Sequence, residues 1–401
     1  MLIPSMLDDM KKLALVALLL TGAVAHAQHT TPYVFADDIA KALRAQPDQN
    51  QPAAWQYAAI GRYQAALEAW EKSYRVVRTP LARADSLAFA AYRPAEARAY
   101  ILARARQERI IIINEAHHVP RHRAFTASLL PALAAQGYRY LVVEGLDAAD
   151  SLLTQRGYPL QTSGYYLSEP CYGNLLRTAV KVGMQVRPYD YGYPEDDSAN
   201  RLRNRELGQV RNIRRILAAD PQAKILIHCG FGHLSERPTP EGDKWMAAYL
   251  KEQTGIDPFT IDQTQLTEAA TLATSNRYYR PQLGSQPAVL LNAQRQPFAA
   301  DPQWMSADAS LYHPPARLVQ GRPDWLITAE RQPVAVASKI KVPYPCQVLA
   351  YVASEPAGAV PADVIELADK ADATALVLAP GRYRVVVRSR SGQEQVVEVQ
   401  R

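Results

Sequence analysis

The stretch "IIIINEAHHVPRHRAF", residues 110–125, passes from four isoleucines to Asn114, Glu115, His117, His118, His122 and Arg123 within ten positions. A continuous β-branched run reads as a strand buried on both faces, which belongs to a parallel sheet covered by helices. A buried strand that stops at titratable groups places those groups at the sheet's edge, where a site can form.

The pattern recurs downstream. Strand-like runs occur at 109–114, 139–145, 184–191, 224–230 and 258–263, separated by helix-like stretches at 123–136, 146–156, 168–183, 197–219 and 243–254. Strand, helix, strand repeated in this way predicts an α/β domain over 108–264, a mostly parallel sheet with helices on both faces. Upstream, 28–107 reads as a helical segment, with Trp55, Ala59, Tyr63, Ala66, Leu67, Trp70 and Tyr74 at spacings of three and four. Gly61, Tyr63, Ala66 and Trp70 resemble one tetratricopeptide half-repeat; a single copy makes no solenoid, so a helical hairpin packed on the next domain is expected. Residues 265–345 read as an irregular, proline-rich linker. Residues 346–401 read as a small antiparallel β-domain, its last two strands (382–390 and 393–400) joined at Ser391-Gly392.

"MKKLALVALLLTGAVAHAQ", from Met10, has the basic, apolar and Ala25-His26-Ala27 regions of a secretory signal, with 1–27 removed. Export to the periplasm or the outside is expected. No later apolar run reaches the length of about 18 residues that a membrane span needs. The net charge of +6 comes from arginines scattered among acidic residues, without a basic stripe carrying aromatics, so nucleic acid is not an expected partner. Cys171, Cys229 and Cys346 have no metal-like spacing and allow at most one disulfide.

In open parallel sheets, ligands bind outside the carboxyl ends of the strands. Here those ends carry Glu115, His117 and His118, then Glu144, then Tyr189-Asp190-Tyr191, then His228 and His233, then Asp262. Each has a plain structural alternative. Glu115 can cap a helix, either histidine can fill a turn, and His228 alternates within its strand as a core residue would. Glu144 ends the apolar run "YLVV", where a lone carboxylate is costly unless paired. In the helix from 197, Glu206 falls on the apolar stripe of Leu202, Val210, Ile213 and Leu217. It therefore needs a partner such as Arg203, Arg205 or Arg123, unless it lies at the stripe's margin.

"NEAHHVPRHRAF", "GYRYLVVEG", "RNRELGQVRNI" and "KILIHCGFGH", taken in order, resemble the superfamily of erythromycin esterases, haem-binding ChaN-like proteins and TraB/Tiki metalloprotease-like proteins. The matching positions are Glu115 with His117 or His118, Glu144, Arg205-Glu206, and Gly230 to His233; Asn114 stands where the family has glycine. A Glu-x-His reading selects His117, and a Glu-x-x-His reading selects His118 with Arg123. The resemblance implies an exported hydrolase of ester or amide bonds in a small molecule or peptide, with Glu115, His117, His118, Glu144, His233 and Arg123 catalytic. Arg205 and Glu206 would support them. In its metal-dependent form His117, His233 and Glu144 hold a divalent ion. In its metal-free form a neutral histidine, oriented by Glu144, activates water while Arg123 or His233 stabilises the oxyanion, and no cofactor is needed. The alternative it implies is a haem- or ligand-binding protein without turnover, its pocket lined by Tyr165 and Tyr166. A third reading, an interaction protein with a degenerate site, rests on Asn114.

Overall fold

The computed structural model describes residues 33–73, 79–190, 200–239, 242–300 and 305–401. The expected signal segment lies outside them, as do Tyr74 and Tyr191.

The isoleucine run forms β2 in an eight-stranded sheet. Its strands in chain order are β1 (Arg93–Glu96), β2 (Ile110–Glu115), β3 (Tyr138–Val143), β4 (Gln185–Pro188), β5 (Lys224–Gly230), β6 (Phe259–Asp262), β7 (Ala288–Leu291) and β8 (Ala309–Tyr312). The spatial order is β1-β7-β8-β6-β2-β5-β3-β4. Every pairing from β8 to β4 is parallel, and β7 is antiparallel to both of its neighbours. The fold is mixed α/β around a mostly parallel sheet.

Alternate side chains of a strand point to opposite faces. Ile111 and Ile113 pack with helices Ala97–Ala105, Pro120–Ala135 and Pro170–Lys181. Ile110 and Ile112 pack with helices Arg201–Ala219 and Met246–Thr254. All four isoleucines are fully buried. At about 1.5–3 kcal/mol for each large apolar side chain removed from water, this run anchors the sheet.

Two regions differ from expectation. The segment read as irregular, 265–345, supplies β7 and β8, which extend the main sheet. Four-residue strands among prolines are too short to show a periodicity. The segment read as helical, 28–107, contains helices Ala36–Ala45, Asn50–Ala59, Tyr63–Ser73 and Arg83–Ala90, but also β1. "RPAE" lacks an apolar pattern because β1 lies at the sheet's edge, where a proline is tolerated.

The C-terminal antiparallel sheet has four strands, in the order Asp363–Leu367, Cys346–Val352, Arg382–Ser389, Glu394–Gln400. The last two form the expected hairpin, turning at Gly392 with φ of +89°. Leu349, Tyr351 and Val364 of this sheet bury against Tyr33, Ile39 and Trp55, so the two terminal regions share a core. The three cysteines are free and buried. Among the described residues, no helix is long and apolar enough to cross a membrane.

Candidate active site

Strand register assembles the site. In the β2–β5 pairing Ile113 lies beside His228 and Glu115 beside Gly230, and Val143 of β3 flanks His228 on the other side. Ile111, Ile113 and Glu115 share one face by the two-residue period, and His228 shares it with them. Val142 and Glu144 share the opposite face. Two carboxylates therefore leave the sheet from opposite faces, and the His117 ring bonded to the first meets the second over Gly230.

Glu115 is 1% exposed. Arg123 grips it with two bonds, Nε to Oε2 and Nη2 to Oε1, each 2.6 Å. His117 Nδ1 lies 2.8 Å from Oε1, and His228 Nε2 lies 2.8 Å from Oε2. Burial pushes this carboxyl upward, but Arg123 and the two imidazoles outweigh it and hold Glu115 well below the usual range. Arg123 also donates to Glu169 (3.0 Å) and to the His117 carbonyl (2.9 Å), and lies over the Tyr172 ring. Glu169 in turn caps helix Pro170–Lys181 through the amides of Cys171 and Tyr172. Arg123 is fully buried. It aims Glu115 and has no face toward a substrate, which corrects its assignment as an oxyanion donor.

The His117 side chain keeps 15% of its surface exposed. Its ring stacks on Tyr166 (centroids 3.9 Å apart) and meets Phe231 edge-on at 5.3 Å. A Cβ on Gly230 would lie 2.7 Å from His117 Nε2 and 2.8 Å from Glu144 Oε2, so only glycine admits both groups. Phe231, next in the chain, has φ of +40°, a strained value for a bulky residue. Asn114 Nδ2 holds the Phe231 carbonyl at 2.9 Å.

On the other face, Glu144 accepts from Arg205 Nη2 at 2.5 Å and from the Gly230 amide, and His233 Nε2 lies 3.4 Å from its Oε1. His233 Nδ1 lies 2.8 Å from Glu206 Oε2, which also accepts from the Met246 amide at 2.7 Å. Burial alone would lower His233, but Glu144 and Glu206 raise it to about 9, so it is an imidazolium at neutral pH. Glu206 is fully buried and pairs with this histidine rather than with an arginine. Arg205 instead joins Glu144 to Asp190 (3.2 Å).

His117, not His118, is the ring that Glu115 holds. His118 stacks under Trp70 (4.2 Å), with Nδ1 unpaired, and burial pushes its pKa well below the ordinary value. Both histidines lie in the turn closed by the Val119 amide on the Ala116 carbonyl (2.8 Å), and their rings reach different partners. Asn114 continues β2 instead of opening a loop, pairing with Cys229 and bonding Asp262 (3.0 Å) and the Gln263 amide (2.7 Å). It is a buried polar clamp between β2 and β6. His228, within 3.3 Å of Thr126 Oγ1, is a satisfied core group that also positions Glu115.

In the sequence, the helical spacing of Trp55 and Trp70 marks them only as core. Trp70 stacks on Phe231 as well as on His118. Trp55 stacks on Tyr165 at 4.1 Å.

Among the described residues, no group of three or more His, Cys, Asp or Glu side chains is placed to hold a metal ion. Glu144 Oε1 accepts from Arg205 and Oε2 from the Gly230 amide. Burial raises the Tyr166 phenol above its ordinary value.

No protein-family model matches the chain, and no curated protein does. Among solved structures it overlaps the type III effector HopBA1 with a TM-score of 0.30 and 14% identity, over 47% of this chain and 94% of HopBA1. It overlaps RRSP, a MARTX toxin effector domain from Vibrio vulnificus, with a TM-score of 0.26 and 16% identity, over 46% of this chain and 40% of that one. For the C-terminal region of Pasteurella multocida toxin the TM-score is 0.31 and the identity 11%, over 77% and 46%. This chain thus spans less than half the length of the last two. At these scores none of them bears on function.

Proposed function

We propose that the chain hydrolyses an ester or amide bond, with His117 as general base on water. The observation that carries this reading is the Glu115–His117 pair. Glu115 accepts four hydrogen bonds, one of them from His117 Nδ1–H, which fixes the tautomer whose Nε2 lone pair stands over Gly230 at the partly open edge. Nε2 removes a proton from water as the water oxygen bonds to the substrate carbonyl carbon, and the carbonyl π pair moves onto oxygen. When this intermediate collapses, the bond to the leaving alcohol or amine breaks, and that group takes the proton back from His117.

The developing oxyanion needs a donor. The His233 imidazolium suits it, because its 3.4 Å contact with Glu144 is long for a charge-assisted hydrogen bond and leaves Nε2–H the least committed proton in the site. Glu144 and Glu206 keep that ring charged, and Arg205 holds Glu144 in place. This is metal-free chemistry of the kind the resemblance to erythromycin esterases implies.

The test is a panel of aryl and alkyl esters and anilides, assayed with the wild type and Glu115→Gln. We expect turnover of at least one ester and a large loss in the variant, because a neutral amide no longer fixes the base. Turnover that Glu115→Gln leaves unchanged would overturn the reading.

A further inference from the structure

The rings around His117 continue away from it in an ordered series. Tyr166 lies flat on His117, with 15° between the planes. Tyr165 meets Tyr166 edge-on at 5.2 Å and lies on Trp55 with centroids 4.1 Å apart. Trp55 closes the group, edge-on to Tyr166 at 6.5 Å. The series starts at the candidate base and reaches the surface at Tyr165, with Trp55 buried behind it.

Two features separate it from ordinary packing. Tyr165 is 54% exposed, the one aromatic among the large apolar side chains that stay exposed in the described residues. One of its faces is covered by Trp55, and the exposed area leaves the other open to solvent. The backbone beneath is also built for the purpose. Gly164 has φ of +156°, and a Cβ there would stand 1.9 Å from the Gly145 carbonyl oxygen. Gly145 has φ of +74°, and its Cβ would touch the Tyr166 ring at 3.5 Å. The loop after β3 and the Tyr165-Tyr166 loop are pressed backbone to backbone, which sets both rings relative to Glu144 and His117.

We infer that this platform is the acyl subsite of the proposed hydrolase and that its substrate carries a flat, apolar ring system next to the scissile carbonyl. The inference rests on the hydrolase reading for the word acyl; binding of a flat ring does not depend on it. A planar group laid on the open face of Tyr165 adds one member to an existing stack, whereas a saturated ring of the same size gains only burial. Trp55 then explains what the N-terminal helical region contributes to the site: it backs the platform from behind.

The experiment measures binding rather than turnover. Equilibrium dialysis compares 2-acetonaphthone, an uncleavable aryl ketone, with its fully saturated acetyldecalin counterpart, on the wild type, Tyr165→Ala and Tyr165→Phe. We expect the flat ketone to bind the wild type more tightly by about fivefold, the size of one aromatic stacking contact. That preference is expected to vanish in Tyr165→Ala and to persist in Tyr165→Phe, which keeps the ring. Equal binding of the two ketones, or a preference that survives Tyr165→Ala, would overturn the inference. Failure of the hydrolase reading is recognised separately, as methyl 2-naphthoate left uncleaved while the binding preference stands.

Discussion

The site contains two carboxylate–imidazole pairs that differ in how their charges are balanced. In the first, one carboxylate, Glu115, is surrounded by donors from Arg123, His117 and His228, so it is held as the anion while the partner imidazole keeps one edge partly open. In the second, one imidazole, His233, lies between Glu144 and Glu206, so the positive charge is held on the ring. On the proposed reading, the same two residue types yield a base in one setting and a cationic donor in the other. The division follows the sheet: Glu115 exits the face covered by helices Pro120–Ala135 and Pro170–Lys181, Glu144 the face covered by helix Arg201–Ala219. Gly230, with no side chain, is where the two pairs meet.

That contrast can be broken from either side. The largest effect on stability is expected from Arg123→Ala, which strands Glu115 and Glu169 in the core without a cation. Losing one partner of a buried ion set costs about 3–5 kcal/mol, to be read from urea unfolding. A loss below about 1 kcal/mol would mean that Arg123 does not hold the first pair together.

Gly230→Ala attacks the meeting point itself. Its Cβ would fall 2.5 Å from His117 Cε1, so both His117 and Glu144 must shift. Overpacking of this kind costs about 1–3 kcal/mol, and ester turnover should fall with it. Unchanged turnover would show that the two pairs need not touch.

The smallest effect sharpens the second pair. His233 titrates at about 9 in the folded chain, above the roughly 6.5 of an unfolded histidine. A raised folded value contributes stability that is whole below about 6.5 and is lost as pH rises through about 9. The urea midpoint should therefore decline between those limits. Removing one of the two carboxylates in Glu206→Gln should lower the His233 midpoint, followed by NMR, by about one unit, or roughly 1.4 kcal/mol. An unmoved midpoint would remove Glu206 from the pair.

The sequence displays this architecture unevenly. The four isoleucines declare a strand covered on both faces, and the order of polar groups at successive strand ends places Glu115, Glu144 and His233 on one edge. The hairpin at Ser391-Gly392 is equally plain, because alternation over seven or eight residues cannot be mistaken. What stays hidden depends on geometry beyond the strands. His117 and His118 are adjacent, and only the turn into Pro120 decides which ring meets Glu115. Arg123 looks like a catalytic cation until its burial shows every donor directed inward. Glu206 announces that it needs a partner, but the partner comes from a turn 27 positions away. Trp55 and Trp70 carry the spacing of core residues, and nothing local shows that their outer faces meet the rings around His117. β7 and β8 are invisible for the opposite reason, being too short to carry a period.

The claim that Glu115 and His117 form the working pair is tested most directly by comparing two neighbouring substitutions. We would measure kcat/KM for a cleavable aryl ester with the wild type, His117→Ala and His118→Ala. Loss of a general base lowers the rate by about 10²–10⁴, and we expect that loss in His117→Ala alone. His118→Ala should stay within about tenfold of the wild type, because His118 only packs beneath Trp70. A large loss confined to His118→Ala, or equal rates in all three proteins, would contradict the assignment.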